Sequence, residues 1–170
     1  MEQIVVGMAE CRVGDTPGQV LTTYALGSCI GLIVYDPVVA VGGLLHFMLP
    51  DSSIHPQRAQ RNPSMFADTA VPLLLREVGS RGAIKGRLVA HAAGGARMIG
   101  DDRIFEIGRR NYEALRRELA RAGLSLAAEA IGGAVARNLQ LDIGTGRIWL
   151  WEGGMCRNGG EPENTSTDRR

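Results

Sequence analysis

The sequence predicts an α+β protein whose mixed sheets are backed by at least two helices. Three observations carry this. The first half is dominated by short β-branched, apolar runs bounded by Gly, Pro and Asp, as at 28–36 and 41–49. The stretch 104–123 has the apolar spacing of a helix. The remainder mixes strand-like and helical runs without an internal repeat. At 170 residues, 45% hydrophobic and 22% charged, the chain suits a single domain with a proper core.

In chain order, "IVVGMAECRV" (4–13) reads as a strand and "DTPG" (15–18) as a turn. Residues 20–24 form a further short strand. "SCIGLIVYD" (28–36) and "VGGLLHFML" (41–49) read as buried strands, the first ending at Asp36-Pro37 and the second at Pro50. "DSSIHPQRAQRNP" (51–63) is polar, carries two prolines and reads as a loop. Residues 64–82 are helical in pattern, with a start near Thr69 or a kink at Pro72. "RLVAHAAGGA" (87–96) begins as a strand and ends in a diglycine turn. The helix at 104–123 places Tyr112, Leu115 and Leu119 on one face, offers Glu113 to Arg117, and stops at Gly123. After "LSLAAEAIGG", the run "RNLQLDIGTGRIWLWEGG" reads as a hairpin turning at 144–146. The folded domain is expected over 1–156, with a polar, disordered tail at 157–170.

Composition excludes several classes of function. Nineteen basic and 18 acidic residues leave no basic field for nucleic acid or an anionic membrane, and 5% aromatics leave few stacking platforms. The N-terminus lacks a basic, signal-like segment, and no apolar run reaches the roughly 18 residues of a membrane helix, so a cytoplasmic protein is expected. Three widely spaced cysteines, Cys11, Cys29 and Cys156, make neither a disulfide framework nor a zinc pair. The histidines lack HxxxH or HExxH spacing, and the diglycines do not fit a phosphate loop, so neither metal nor organic cofactor is expected. Cys11, Cys156 and His91 read as structural, and His55 lies in the polar loop.

Cys29 and His46 stand out because each sits in one of the two buried strands. If these strands form a hairpin turning at "DPVV", the simplest register pairs Asp36 with Val39 and sets Cys29 directly opposite His46. A one-residue slip would put them on opposite faces, and Gly42-Gly43 could host a bulge. Facing each other, an imidazole would lower the thiol pKa, the thiolate would attack a carbonyl carbon, and the imidazolium would protonate a leaving amine. Such a thiolate is expected to alkylate fast near neutral pH. The backbone N–H groups of Ser28 and Cys29 would lie where an oxyanion forms. The same residues also fit a second reading, a buried small hydrophobe and a hydrogen-bonded core histidine.

Beyond this pair, "TTYALGSCIGLIVYDP" followed by "VGGLLHFMLP" resembles the signature of the chemoreceptor glutamine deamidases, the CheD family. The resemblance continues through "FADTAVPLLL", "GGARM", "IGRRNYEAL" and "IGGAVARNLQLDIGTG", nearly to residue 150. It implies a mixed β-sandwich with helices packed on the outside. It also implies a Cys/His/Thr site, falling on Cys29, His46 and Thr23, with Thr22 the neighbouring alternative. Ala25 stands where the family often has Gly. The implied reaction is hydrolysis of glutamine side chains on methyl-accepting chemoreceptors through a thioester. The resemblance implies a chemotaxis phosphatase as a further partner. Two alternatives remain open: a non-catalytic module docking on receptors or phosphatase, and another cysteine hydrolase or transglutaminase using the same chemistry.

Overall fold

The computed structural model describes residues 1–97 and 102–159, the side chains of 102–105 and 157–159 excepted. Two five-stranded sheets pack face to face. The first sheet has the order β1 (Glu2–Val5), β3 (Gln19–Leu26), β8 (Arg137–Asp142), β9 (Ile148–Glu152) and β10 (Met155–Gly159). The second has the order β2 (Glu10–Gly14), β5 (Val41–Phe47), β4 (Ile30–Asp36), β6 (Val89–Gly94) and β7 (Leu126–Ile131). β1 runs parallel to β3 and β6 parallel to β7, so both sheets are mixed. The helices α2 (Ala67–Ser80) and α3 (Asp102–Ala122) cover the outer face of the second sheet. The α+β sandwich with outer helices is therefore the observed fold.

The continuous apolar runs of β4 and β5 follow from burial on both faces. Ile33, Tyr35 and Leu44 point into the space between the sheets, against Leu21, Leu139 and Leu141. Leu32, Val34, Leu45 and Phe47 point the other way, under Leu74 and Val78 of α2 and Leu115 and Leu119 of α3. Gly42 and Gly43 are pressed from both sides. A Cβ on Gly42 would lie 2.7 Å from Leu141 Cδ2, and one on Gly43 would lie 2.4 Å from Leu74 Cδ1. These glycines thus allow close packing; the pairing of β4 with β5 contains no bulge.

Several expectations are corrected. The stretch 4–13 is two strands in different sheets, because the chain reverses at Gly7–Ala9. There Ala9 takes a left-handed φ of 56°, and Glu10 Oε2 accepts the Gly7 N–H. β3 extends past residue 24 to Leu26. The presumed loop 51–63 holds a short helix, α1 (Pro56–Arg61), between 3₁₀ turns. Pro56 and Pro63 open helical segments, where a missing N–H costs nothing, and Asp51 and Asn62 cap the two turns. Helix α2 begins at Ala67 and runs through Pro72, whose ring lies on the exposed face. Glu113 pairs back to Arg109 at 3.6 Å, and Arg117 turns to Glu118. β10 carries the backbone to Gly159, past the expected end of the domain at 156. Residues 160–170 of the expected tail lie outside the described residues.

Candidate active site

The site lies where β3 of one sheet crosses β5 of the other. Leu44 and His46 share a face of β5, so the imidazole points between the sheets. There Thr23 Oγ1 lies 2.8 Å from His46 Nδ1 and 2.7 Å from the carbonyl oxygen of Val6. A carbonyl can only accept, so the single hydroxyl proton of Thr23 goes to Val6. The hydroxyl oxygen must then accept from His46, which places the imidazole proton on Nδ1. Nε2 is left with its lone pair, buried and without a hydrogen-bond partner among the described residues. Burial holds the imidazole pKa down at about 4, so the ring is neutral near pH 7. Thr22, on the opposite face of β3, does not reach the imidazole; its buried hydroxyl has no partner among the described residues.

Cys29 does not sit directly opposite His46. Asp36 pairs with Val41, not Val39, which shifts the register by two and sets Gly31 opposite His46. The turn is four residues long, with Ala40 at φ 52° closing it. Its start is fixed by the buried Asp36 carboxylate, which accepts the N–H groups of Val38 and Ile84 and two guanidinium donors of Arg87. Because the shift is two, parity survives. Cys29 precedes β4 on the inter-sheet side, diagonal to the imidazole, and packs on the inter-sheet core. Diagonal neighbours in a sheet stand about 7–8 Å apart, within reach of longer side chains. Burial raises the thiol pKa, only partly opposed by the Cys29 N–H facing its own sulfur. The expected lowering by the imidazole is absent, because Nε2 makes no hydrogen bond to the sulfur.

The turn carrying Cys29 is held by its carbonyls. The Gly27 oxygen accepts from Ala96 N–H at 2.7 Å, the Cys29 oxygen from Gly95 N–H at 2.9 Å, and the Ser28 oxygen from Asn111 Nδ2 at 3.0 Å. The N–H groups of Ser28 and Cys29 donate to no other described residue. The diglycine at the end of β6 is what lets the backbone come this close. Gly94 has φ 118°, and a Cβ there would fall 2.1 Å from the Cys29 oxygen. Asn111 was not singled out by sequence reasoning. It is fully buried on α3, and its partners are backbone carbonyls, which leave no side-chain signature.

The other reactive side chains lie apart from this site. Cys11 packs on the helix-side core, where burial first and Glu77 second push its thiol to about 12. Cys156 is exposed on β10. His91, on β6, lines a small inter-sheet gap with Leu139 and Leu150, and burial lowers its pKa. His55 is exposed ahead of α1. Among the described residues no group of His, Cys, Asp and Glu is placed to hold a metal ion, and no helix is long and apolar enough to cross a membrane.

The model of the family described as "CheD chemotactic sensory transduction" matches residues 48–152. The chain belongs to the CheD family. A "Probable chemoreceptor glutamine deamidase CheD" of Solibacter usitatus is 60% identical over 154 residues, covering 91% of each chain. Its counterpart in Symbiobacterium thermophilum is 48% identical over 146 residues, covering 84% of this chain and 88% of the relative. Any 154-residue stretch of the 170 contains residues 17–154, so the first match spans Thr23, Cys29 and His46 as well as the region the family model covers. A crystal structure of a Neisseria meningitidis protein of the DUF152 family model superposes with a TM-score of 0.43 at 9% identity, covering 79% of this chain and 63% of that one.

Proposed function

We propose that this protein deamidates glutamine side chains of methyl-accepting chemoreceptors by a cysteine-dependent, thioester mechanism. The names of its CheD relatives support the substrate. The observation that carries the mechanism is the Thr23–His46 hydrogen bond, which fixes the tautomer and leaves Nε2 as the base. Both the thiol and the imidazole are neutral at rest, since burial disfavours either charge. The proton therefore leaves sulfur as the new bond forms. A rotation of the Cys29 side chain brings Sγ to Nε2, and sulfur attacks the carboxamide carbon as Nε2 takes the thiol proton. The Ser28 and Cys29 N–H groups receive the developing oxyanion. A buried imidazolium is a strong acid, so it readily protonates the leaving nitrogen, and ammonia departs from a thioester. Nε2 then takes a proton from water, whose oxygen attacks the thioester and releases glutamate and the thiol.

The same reading places the reaction in the cytoplasm, on the receptors' cytoplasmic segments, with no metal or organic cofactor. Each event creates a carboxylate open to methylation, which tunes chemotactic adaptation. Docking on a chemotaxis phosphatase would be a second activity of the surface, to be tested by co-purification. The test of the main reading is incubation with purified cytoplasmic receptor fragments. Ammonia release and the glutamine-to-glutamate mass change on receptor peptides are expected. Both should disappear in Cys29→Ala; an unchanged rate in that variant would sink the assignment. Peptide cleavage or amine incorporation instead of ammonia release would favour a protease or transglutaminase.

A further inference from the structure

The pairing of β4 with β5 ends at Ile30–Phe47, and the next rung of that register would join Cys29 to Met48. In that register the backbone polar groups of Cys29 face β6, not β5, so this rung carries no hydrogen bond of its own. The Cys29 oxygen accepts from Gly95 N–H at 2.9 Å, and the Met48 N–H donates to the Met65 oxygen at 3.0 Å. The Met48 oxygen accepts from Asn111 Nδ2 at 2.8 Å. The Cys29 N–H, in the same peptide plane as the Ser28 oxygen, donates to no other described residue. The same Asn111 nitrogen also holds the Ser28 oxygen at 3.0 Å, so one side-chain amide bridges both arms of the fork. Asn111 is fully buried, and its Oδ1 has no partner among the described residues. Leaving a buried acceptor unpaired is costly, and the two donor bonds must outweigh that cost.

We infer that Asn111 is a positioning residue that, by holding the Ser28 oxygen, fixes the Ser28–Cys29 peptide plane and so aims the Cys29 N–H at the oxyanion. This rests on the proposed thioester reading of the site. With the amide gone, the nucleophile turn loses the bond that orients the Ser28–Cys29 peptide plane, together with its tie to Met48 at the end of β5. The effect falls on carbonyl chemistry. Alkylation by iodoacetamide is a displacement at a saturated carbon and passes through no oxyanion, so it feels that N–H only through the weaker hold it has on the sulfur.

The experiment compares Asn111→Ala and Asn111→Asp with wild type in two reactions, receptor-fragment deamidation and iodoacetamide alkylation of Cys29. The aspartate keeps the volume and removes both donors, so it reads the same quantity where the alanine variant is unstable. The expected result is a kcat lower by roughly 10-fold or more, up to the roughly 100- to 1,000-fold of a lost oxyanion donor, with KM and the alkylation rate within about threefold. The proposal is overturned if kcat stays within about threefold, if alkylation falls as far as kcat, or if neither variant folds. Cys29→Ala, run alongside, separates the failures. An active Cys29→Ala refutes the site itself, whereas an inactive one beside a fully active Asn111 variant refutes only the role given to Asn111.

Discussion

Replacing Thr23 with valine keeps the shape of the side chain and removes one oxygen. That oxygen serves two buried groups, donating to the Val6 carbonyl at 2.7 Å and accepting from His46 Nδ1 at 2.8 Å. Thr23 is 0% exposed and His46 1%, so water does not replace it. Each stranded polar group costs about 1–3 kcal/mol, so Thr23→Val should lose roughly 2–6 kcal/mol of stability. For a chain of this size that lowers the melting temperature by about 4–24 °C. The chemical consequence is separate. Without an acceptor, Nδ1 no longer holds its proton in preference to Nε2, and the base is protonated on the wrong nitrogen for part of the time. With that bias removed the active tautomer falls from nearly all of the molecules to about half or less, so kcat should fall by roughly two- to fivefold with KM little changed. Urea unfolding and receptor-fragment deamidation, both at a temperature where the variant is folded, measure the two effects. Thr23→Ser keeps the hydroxyl and should keep most of the activity. A Thr23→Val protein as stable and as active as wild type would refute the tautomer argument.

Three further outcomes follow from the same geometry. Burial holds His46 at about 4 against 6.5 for an ordinary histidine, so between these values the unfolded chain binds a proton that the native chain refuses. Stability should therefore fall as pH drops through that window, by roughly 3 kcal/mol for this group, and His46→Gln should lack that part of the slope in urea unfolding. The cross-strand neighbour Glu10 is engaged with the Gly7 N–H and is common to both proteins, so it cancels in the comparison. Ala25 holds a left-handed φ of 57° where the β3–β8 register shifts, and Ala25→Gly should be neutral or stabilising by up to about 1 kcal/mol in thermal melts. Gly94→Ala drives a methyl against the Cys29 oxygen at φ 118°, so it should lose at least about 2 kcal/mol and most of its activity; a variant with wild-type melting and kcat would contradict the packing described.

The parts of the fold written in side chains were legible in the sequence. β4 and β5 announced themselves as uninterrupted apolar runs because both faces are buried, and α3 did so through Tyr112, Leu115 and Leu119. What failed was written in backbone conformation. Ala9 and Ala40 take left-handed φ values that favour glycine, and nothing about an alanine marks a turn, so one strand was merged and one hairpin register was read two residues short. Pro56 and Pro63 read as breakers because the same residue that ends a helix also starts one. Half of the candidate site came from local pattern: Cys29 and His46 share a face despite the shifted register, since a shift of two preserves parity. Thr23 came only through the family resemblance, because its contact to His46 spans two sheets. Asn111 lies 83 residues from Ser28 and binds carbonyls that every residue possesses. No local pattern could have pointed to it.

The claim on which the account rests is a covalent bond between Cys29 and the substrate acyl group. It is tested by acid quenching during turnover of a receptor fragment, followed by intact-mass analysis of the enzyme. The account predicts a species weighing enzyme plus fragment less one ammonia, linked through the Cys29 peptide, labile to hydroxylamine, and missing in Cys29→Ala. Steady deamidation by Cys29→Ala, with no such adduct in the wild type, would contradict it.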